Sequence, residues 1–139
     1  MKLKQVPLEL INSLNKNTLM EALNIVCIEL GDDYVKSKMP VNTTTHQPAG
    51  LLHGGASAAL IESIGSMGSV LLIDIEKEVP VGLEINANHI AGVKDGHVIA
   101  TGKIVHAGKR THVWQVDIHH EETGKLVCTG RLTVMIVPR

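Results

Sequence analysis

The stretch GGASAALIESIGSMGSVLLI, residues 54–73, decides the fold because it is the one long segment with an apolar majority and no proline. Its larger apolar residues recur at three- and four-residue steps, the spacing of one helix face: Leu60, Ile61, Ile64, Met67, Leu71 and Leu72. The glycines and alanines between them add little bulk, so another element can pack close to the backbone. We therefore predict one long buried helix over residues 54–73.

The segments around this helix are shorter, and most of them are strand-like. Residues 8–23 predict one or two short helices, interrupted near 15–17, and a strand–turn–strand unit and a loop over residues 41–53 come next. After Lys77, alternating apolar and polar residues predict strands in four further segments: VPVGLEINANHIAG, HVIATGKIVHAG, THVWQVDIHH and LVCTGRLTVMIVP. Five or six antiparallel strands wrapped around one helix predict an α+β fold of the hot-dog type, in a single domain over residues 1–139.

Composition excludes several classes of partner. The net charge is −1, which provides no general attraction to nucleic acid or to an anionic membrane. One Trp, one Tyr and no Phe leave too few aromatic rings for a protein that stacks bases. No secretion signal is visible, and Cys27 and Cys128 lie in apolar surroundings without metal-type spacing. We expect a cytoplasmic protein with reduced cysteines, no nucleic-acid partner and no membrane attachment.

Glu62 is the one charged residue of the helix. Its neighbours on the helix surface are small or carry a hydroxyl group: Ala58, Ala59, Gly65, Ser66 and, a further turn on, Ser69. An exposed helix face usually carries basic residues as well, and residues 54–73 contain none. We expect Glu62 to face a partly closed space, where a carboxylate needs either a partner or a chemical role. The alternative is an ordinary polar residue on the solvent side of the helix.

The start of the helix offers a second reactive group. Gly54 and Gly55 begin the helix, where backbone N–H groups lack intrahelical acceptors and the helix dipole is positive. Such an N–H, unshielded by a side chain, can bind a developing oxyanion, and Gln47 and His53 just upstream can orient a carbonyl or a water molecule. The alternatives are a plain helix cap and a loop histidine without a chemical role.

Distance separates these two groups. Gly54 and Glu62 are eight residues apart, which along a helix corresponds to about 12 Å. A glutamate side chain does not span that gap, so the two groups act on one carbonyl only if they come from different chains. This geometry predicts a site at a two-fold interface between two copies of the chain.

Several motifs together resemble the hot-dog acyl-CoA thioesterases, and within them the group that hydrolyses aromatic acyl-CoA. They are HQPAGLLHGGASAALIESIGS, VGLEINANHI, HAGKRTHVWQVDI and the final RLT, and they cover nearly the whole chain. The resemblance implies that Glu62 is nucleophile or general base and that the Gly54 N–H polarises the thioester carbonyl. It also implies that Gln47 and His53 orient the carbonyl or water, and that Ser66 holds the reacting water. No metal or cofactor is implied, and the assembly expected is a homotetramer of two dimers.

The resemblance also implies where coenzyme A binds. The matching positions are Gly82, His89, Ile90, Ala91, Gly92, His106, Ala107, Gly108, Lys109, Arg110 and Thr111. Lys109 and Arg110 provide positive charge for the nucleotide phosphates, although an ordinary solvated turn explains them equally well. Relatives often carry Arg where this chain has Ala91 and Phe where it has Ala49, which puts the phosphate contacts and the acyl pocket in question.

Two other functions remain open at this stage. One is a hot-dog dehydratase acting on hydroxyacyl thioesters, and the other is a regulator that binds acyl-CoA without hydrolysing it. The cluster His119, His120, Glu121 and Glu122 suggests a metal, but adjacent strand residues point to opposite faces and EETGK is typical of a hairpin turn. We expect no metal there, and we expect Trp114, on an apolar strand face, to belong to the core.

Overall fold

The computed structural model describes all residues from 1 to 139 and contains nine elements. In chain order they are α1 (Leu8–Ser13), α2 (Leu19–Ala22), β1 (Val26–Leu30), β2 (Tyr34–Pro40), α3 (Gly54–Val70), β3 (Glu78–His89), β4 (His97–Ala107), β5 (Thr111–His120) and β6 (Leu126–Pro138). The strands form one antiparallel sheet in the order β1-β2-β4-β5-β6-β3, and α3 packs against it. The hot-dog prediction is confirmed, with six strands.

Helix α3 ends three residues earlier than its apolar pattern predicts. The Leu71 N–H is shared between the carbonyls of Met67 and Gly68, and the Leu72 N–H bonds to Ser69, so the last turn tightens and the helix gives way to a turn. Leu71 and Ile73 are nevertheless buried, so the apolar spacing continues past the end of the helix. No helix of the structure is both long and apolar enough to cross a membrane.

Trp114 fills the space between α3 and the sheet. It is fully buried, and its indole N–H donates to the Ser69 hydroxyl at 2.9 Å. A Cβ at Gly68 would collide with the indole ring, so glycine at this position lets the helix approach the tryptophan. The prediction that Trp114 belongs to the core is confirmed. Cys27 and Cys128 are free, buried thiols, and burial raises the pKa of both.

Strand β3 forms one edge of the sheet and pairs only with β6. A bulge between Gly82 and Glu84 interrupts this pairing. Val81, Leu83 and Ile85 are exposed although their alternation is typical of a half-buried strand. The edge position explains this difference, because β3 has neither a second neighbouring strand nor a full covering layer.

Candidate active site

The Glu62 carboxylate projects from α3 onto the edge strand. It lies against Gly82 of β3 so closely that a Cβ at Gly82 would collide with Glu62 Oε1. Burial raises the pKa of Glu62 above its ordinary value, and no hydrogen bond or neighbouring charge of the chain opposes this shift. The carboxylate is therefore partly desolvated and without a partner, which makes it a better proton acceptor than an exposed glutamate.

Glu62 borders a cavity of about 610 Å³ between α3 and the N-terminal segment. Ser63, Ser66, Met67 and Val70 of α3 line the same cavity, so the structure places Ser66 beside Glu62 as the sequence suggests. Ten of the 17 lining residues are hydrophobic, which makes the cavity suitable for an apolar group.

Ser69, by contrast, does not share this surface with Glu62. It is fully buried, and its hydroxyl lies 3.0 Å from Nδ1 of His112 in addition to the bond from Trp114. His112 is itself buried, and this burial lowers its pKa. The two serines that follow Glu62 at helical spacing therefore have different surroundings. Ser66 faces the cavity, and Ser69 belongs to a hydrogen-bonded cluster in the core.

The first turn of α3 presents an unused donor. His53 caps the helix, because its Nδ1 accepts a hydrogen bond of 2.7 Å from the Gly55 N–H. The Gly54 N–H has no acceptor within the chain. The His89 imidazole lies directly over Gly54, where a Cβ would approach its Nε2 to 2.8 Å. The expected donor for an oxyanion is thus Gly54, whereas His53 has a structural task that the sequence did not reveal.

A second, shallower cavity of about 300 Å³ surrounds this donor. Its wall includes Gln47, Gly54 and the four predicted coenzyme A residues from His89 to Gly92. The Gln47 side-chain oxygen accepts a hydrogen bond from the Ala49 N–H, which leaves its amide NH₂ group without a partner in the chain. Gly50, with φ of 78°, closes this turn in a conformation that favours glycine.

Gly54 and Glu62 line different cavities, since the larger one contains Glu62 without Gly54 and the shallower one Gly54 without Glu62. The separation expected from the helix rise is therefore present within the single chain. One copy of the chain provides the donor and the carboxylate at two places, and does not bring them to one point.

The predicted coenzyme A residues also fall into two groups. The turn from His106 to Thr111 joins β4 to β5, and it is closed by a 2.9 Å bond from the Gly108 N–H to the Thr111 carbonyl. Lys109 and Arg110 are exposed there and form no ion pair. Thr111 pairs with Met135, which in turn pairs with Val81, so this turn lies beside the Gly82 end of β3. The His89–Gly92 group lies at the opposite end of that strand.

The His119–Glu122 cluster has other bonding partners. His120 bonds to Thr123 and to the Asp95 carbonyl, and Glu121 forms an ion pair of 2.9 Å with Lys38. No group of three or more His, Cys, Asp or Glu residues in the chain is arranged to hold a metal ion.

The N-terminal segment is the part of the site that the sequence did not indicate. It contributes nearly half of the residues lining the larger cavity: Lys4, Val6, Leu10, Ile11, Leu14, Asn15, Thr18 and Met20. The one feature of the sequence that could have indicated this role is the number of leucines in the segment, which exceeds what two short helices can bury. Leu10 and Leu14 remain 56% and 67% exposed.

Comparison with known proteins assigns the family. A family model described as the thioesterase superfamily matches residues 49–127. The 1,4-dihydroxy-2-naphthoyl-CoA hydrolase of Escherichia coli is 43% identical over 134 residues, which cover 96% of this chain and 97% of that protein. The proofreading thioesterase of Cronobacter sakazakii is 42% identical over 134 residues, with 96% of each chain covered.

Solved structures agree with this assignment. A mutant thioesterase from Pseudomonas aeruginosa superposes with a TM-score of 0.96 at 42% identity, over 100% of both chains. A thioesterase from Haemophilus influenzae superposes with a TM-score of 0.93 at 41% identity, over 99% of this chain and 96% of that chain. The chain therefore belongs to the thioesterase superfamily, and it is a thioester hydrolase with the hot-dog fold.

Proposed function

We propose that this thioesterase hydrolyses aromatic acyl-CoA to the free acid and coenzyme A, at sites shared between two copies of the chain. The observation that carries the proposal is that each reactive group contacts a residue of β3. Glu62 lies against Gly82 and Gly54 lies under His89, and both β3 residues belong to the open edge of the sheet.

The edge strand supports pairing with a second copy. A long strand with an open row of N–H and C=O groups is a template for another strand. β3 has 12 residues, and its exposed Val81, Leu83 and Ile85 add apolar surface that a partner would cover. Two β3 strands running antiparallel about a two-fold axis would extend the sheet across both chains.

The register of such a pair follows from the position of the axis. If the axis passes through a pair formed by Asn86 of both chains, Asn88 lies opposite Glu84, and the bulge at Leu83 then brings Gly82 of one chain opposite His89 of the other. Glu62 of the first chain then faces Gly54 of the second, and the symmetric arrangement forms a second identical site. A dimer would therefore bring together the two groups that one chain keeps apart.

The same pairing would assemble the coenzyme A contacts. The turn from His106 to Thr111 lies at the Gly82 end of β3, and the His89–Gly92 group lies at the other end. Antiparallel pairing places the first group of one chain near the second group of its partner. Lys109 and Arg110 would then reach the nucleotide phosphates, with Gly108 allowing close approach. The resemblance extends this arrangement to a tetramer of two such dimers.

The chemistry follows from these positions. The Gly54 N–H would polarise the thioester carbonyl, while the side chains of Gln47 and His53 orient the carbonyl or the attacking water. Glu62 would either take a proton from water, held by Ser66, or attack the carbonyl carbon itself. In both routes a C–O bond forms, the C–S bond breaks, and the leaving thiolate receives a proton. When Glu62 is the nucleophile, the product of this step is an anhydride between Glu62 and the acyl group, and water then breaks its C–O bond, which releases the free acid and restores the carboxylate. No step requires a metal ion.

Two mutant structures of one relative from Staphylococcus aureus support the choice of residues. In one a glutamate and in the other a glutamine is replaced by alanine, and the two positions are fifteen residues apart. Gln47 and Glu62 have the same separation in this chain.

Release of free thiol from benzoyl-CoA tests the reaction. A hydrolase releases coenzyme A, whereas a hydroxyacyl-thioester dehydratase and a non-catalytic acyl-CoA-binding regulator do not. We expect release by the wild-type protein and its loss in Glu62→Ala with the fold retained. A Glu62→Ala protein that is as active as the wild type would refute the role given to Glu62.

Mixed dimers test the sharing of the site. A Glu62→Ala chain and a Gly54→Pro chain each lack one group, and their heterodimer contains one site with both groups intact. We expect the mixture, after refolding together, to regain up to half of the wild-type activity per heterodimer. A mixture that stays inactive while heterodimers form would show that each site lies within one chain.

A further inference from the structure

We infer that the cavity of about 610 Å³ beside Glu62 holds the acyl group, and that it selects acyl groups whose end remote from the thioester is unsubstituted hydrocarbon. This inference rests on the proposed function, because it takes Glu62 to be the reacting carboxylate. It adds a specificity that neither the fold nor the relatives assign.

The position of the cavity favours a bound acyl group. Glu62 and Ser66, both part of the proposed hydrolytic machinery, border the cavity, so a carbonyl carbon beside Glu62 would direct its acyl chain into it. The volume lies within the range of small-molecule sites, roughly 300–1,000 Å³. Ile11, Met67 and Leu71 are buried and form the floor, whereas Leu10 and Leu14 are exposed and form the rim.

The polar groups of the wall away from Glu62 donate to other parts of the protein. The Asn15 amide donates to the Ile25 carbonyl at 3.0 Å, and the Thr18 hydroxyl donates to the Asn15 carbonyl at 2.6 Å. The Lys4 ammonium donates to the Ile73 carbonyl. These bonds hold the N-terminal segment in place, and they use the hydroxyl proton of Thr18 and one N–H each of Asn15 and Lys4.

The remaining polar side chains lie close to the thioester position. Ser63 and Ser66 are next to Glu62 and one turn beyond it, respectively. An acyl group entering the cavity would therefore meet polar partners near its carbonyl and hydrocarbon farther away. No aromatic side chain lines the cavity, so a flexible alkyl chain and a simple ring both fit this lining. A hydroxyl at the remote end would lose water to a wall in which ten of the 17 residues are hydrophobic.

Matched substrates test this selectivity. We expect kcat/KM for phenylacetyl-CoA to exceed that for 4-hydroxyphenylacetyl-CoA by roughly 10- to 100-fold, the range that one buried hydroxyl produces in an apolar pocket. Octanoyl-CoA should exceed 8-hydroxyoctanoyl-CoA in the same direction. Equal rates within both pairs, or release of coenzyme A from benzoyl-CoA but from none of the four, would overturn the inference. No release from benzoyl-CoA or from any of the four would instead refute the proposed function.

Variants of the rim residues test whether the acyl group lies in this cavity. The double variant Leu10→Ser, Leu14→Ser should lower kcat/KM for octanoyl-CoA roughly tenfold and leave butanoyl-CoA within about twofold, because the short chain does not reach the rim. Leu19→Ser is the matched control, since Leu19 is 62% exposed on the same segment and does not line the cavity.

The exposed leucines of the rim could instead contact a second copy of the chain. If the double variant shifts the sedimentation coefficient and lowers both rates together, the rim is a contact between copies and the inference is wrong. Equal loss of octanoyl-CoA activity in Leu19→Ser would also overturn it, because the effect would then not depend on the cavity.

Discussion

The first turn of α3 and the turn that carries Glu62 lie on one helix and have opposite surroundings. At the first turn, Gly54 presents an N–H without an acceptor, in a shallow cavity that also contains Gln47 and His89. At Glu62 the cavity is larger and mostly apolar, and the carboxylate has no partner. One place suits developing negative charge and the other suits a base. A single chain therefore keeps the two proposed reactive groups apart, and the proposed mechanism needs a second copy of the chain to bring them together.

Removing the carboxylate should have the largest effect. Glu62→Gln preserves the shape of the side chain and removes its basicity, so we expect kcat to fall by at least about 10²- to 10⁴-fold, the usual contribution of a general base. Thiol release under saturating benzoyl-CoA measures the loss. Glu84→Gln is the control, because Glu84 is exposed on β3, and it should retain activity. Similar losses in both variants would contradict the role of Glu62 as the base, because the loss would then not depend on which carboxylate is removed.

Removing the donor at the first turn should have the next largest effect. Proline is tolerated at the first position of a helix and lacks an N–H, and His53 already has the extended conformation that a following proline requires, with ψ of 130°. We expect Gly54→Pro to lower kcat about 10²- to 10³-fold relative to Gly54→Ala, the range measured for one oxyanion donor.

Gly54→Ala is the matched control for this experiment, because it adds the same Cβ beneath His89 and keeps the N–H. If the alanine and proline variants are equally slow, the space over Gly54 matters and its N–H does not. Circular dichroism should show the same helix content in both.

Much of this contrast could be read from the sequence, because both groups lie on one regular helix. The helix rise alone separates Gly54 from Glu62, and the strand pattern predicts a sheet around α3. His53 was less predictable, since histidine is not among the residues that usually cap helices, and its position suggested a free orienting group. Its capping bond to Gly55 becomes visible only in three dimensions.

Two further features depended on packing over long sequence distances. Ser69 lies seven residues after Glu62, on nearly the same side of a helix, yet it turns into the core because Gly68 lets Trp114 approach and bond to it. Nearly half of the residues lining the larger cavity lie between positions 4 and 20, more than 40 positions before Glu62. A local pattern shows that these residues are apolar, and does not show what they cover.

The basic turn that contains Lys109 and Arg110 should affect substrate binding and not the chemical step. The double variant Lys109→Ala, Arg110→Ala should raise KM for acyl-CoA roughly tenfold and leave kcat nearly unchanged, because the contacts that we propose for these charges are to the nucleotide phosphates and not to the reacting carbonyl. The difference from wild type should shrink at 0.5 M salt, where exposed charges are screened. Lys125→Ala, in the exposed β5–β6 turn, is the control and should leave KM unchanged.

The smallest expected effect is that of Glu62→Gln on stability, and the burial of Glu62 predicts its sign. Burial raises the pKa of Glu62, so the folded protein binds this proton more tightly than the unfolded chain does. The free energy of unfolding therefore falls as the pH rises from the ordinary value of 4.5 through the raised pKa, and Glu62 lowers stability at neutral pH. Glu62→Gln should then have a slightly higher Tm than wild type at pH 7, and this difference should decrease as the pH approaches 4. Thermal melts of both proteins across this range check the sign, and a lower Tm for Glu62→Gln at pH 7 would mean that the carboxylate has a stabilising partner in the assembled protein.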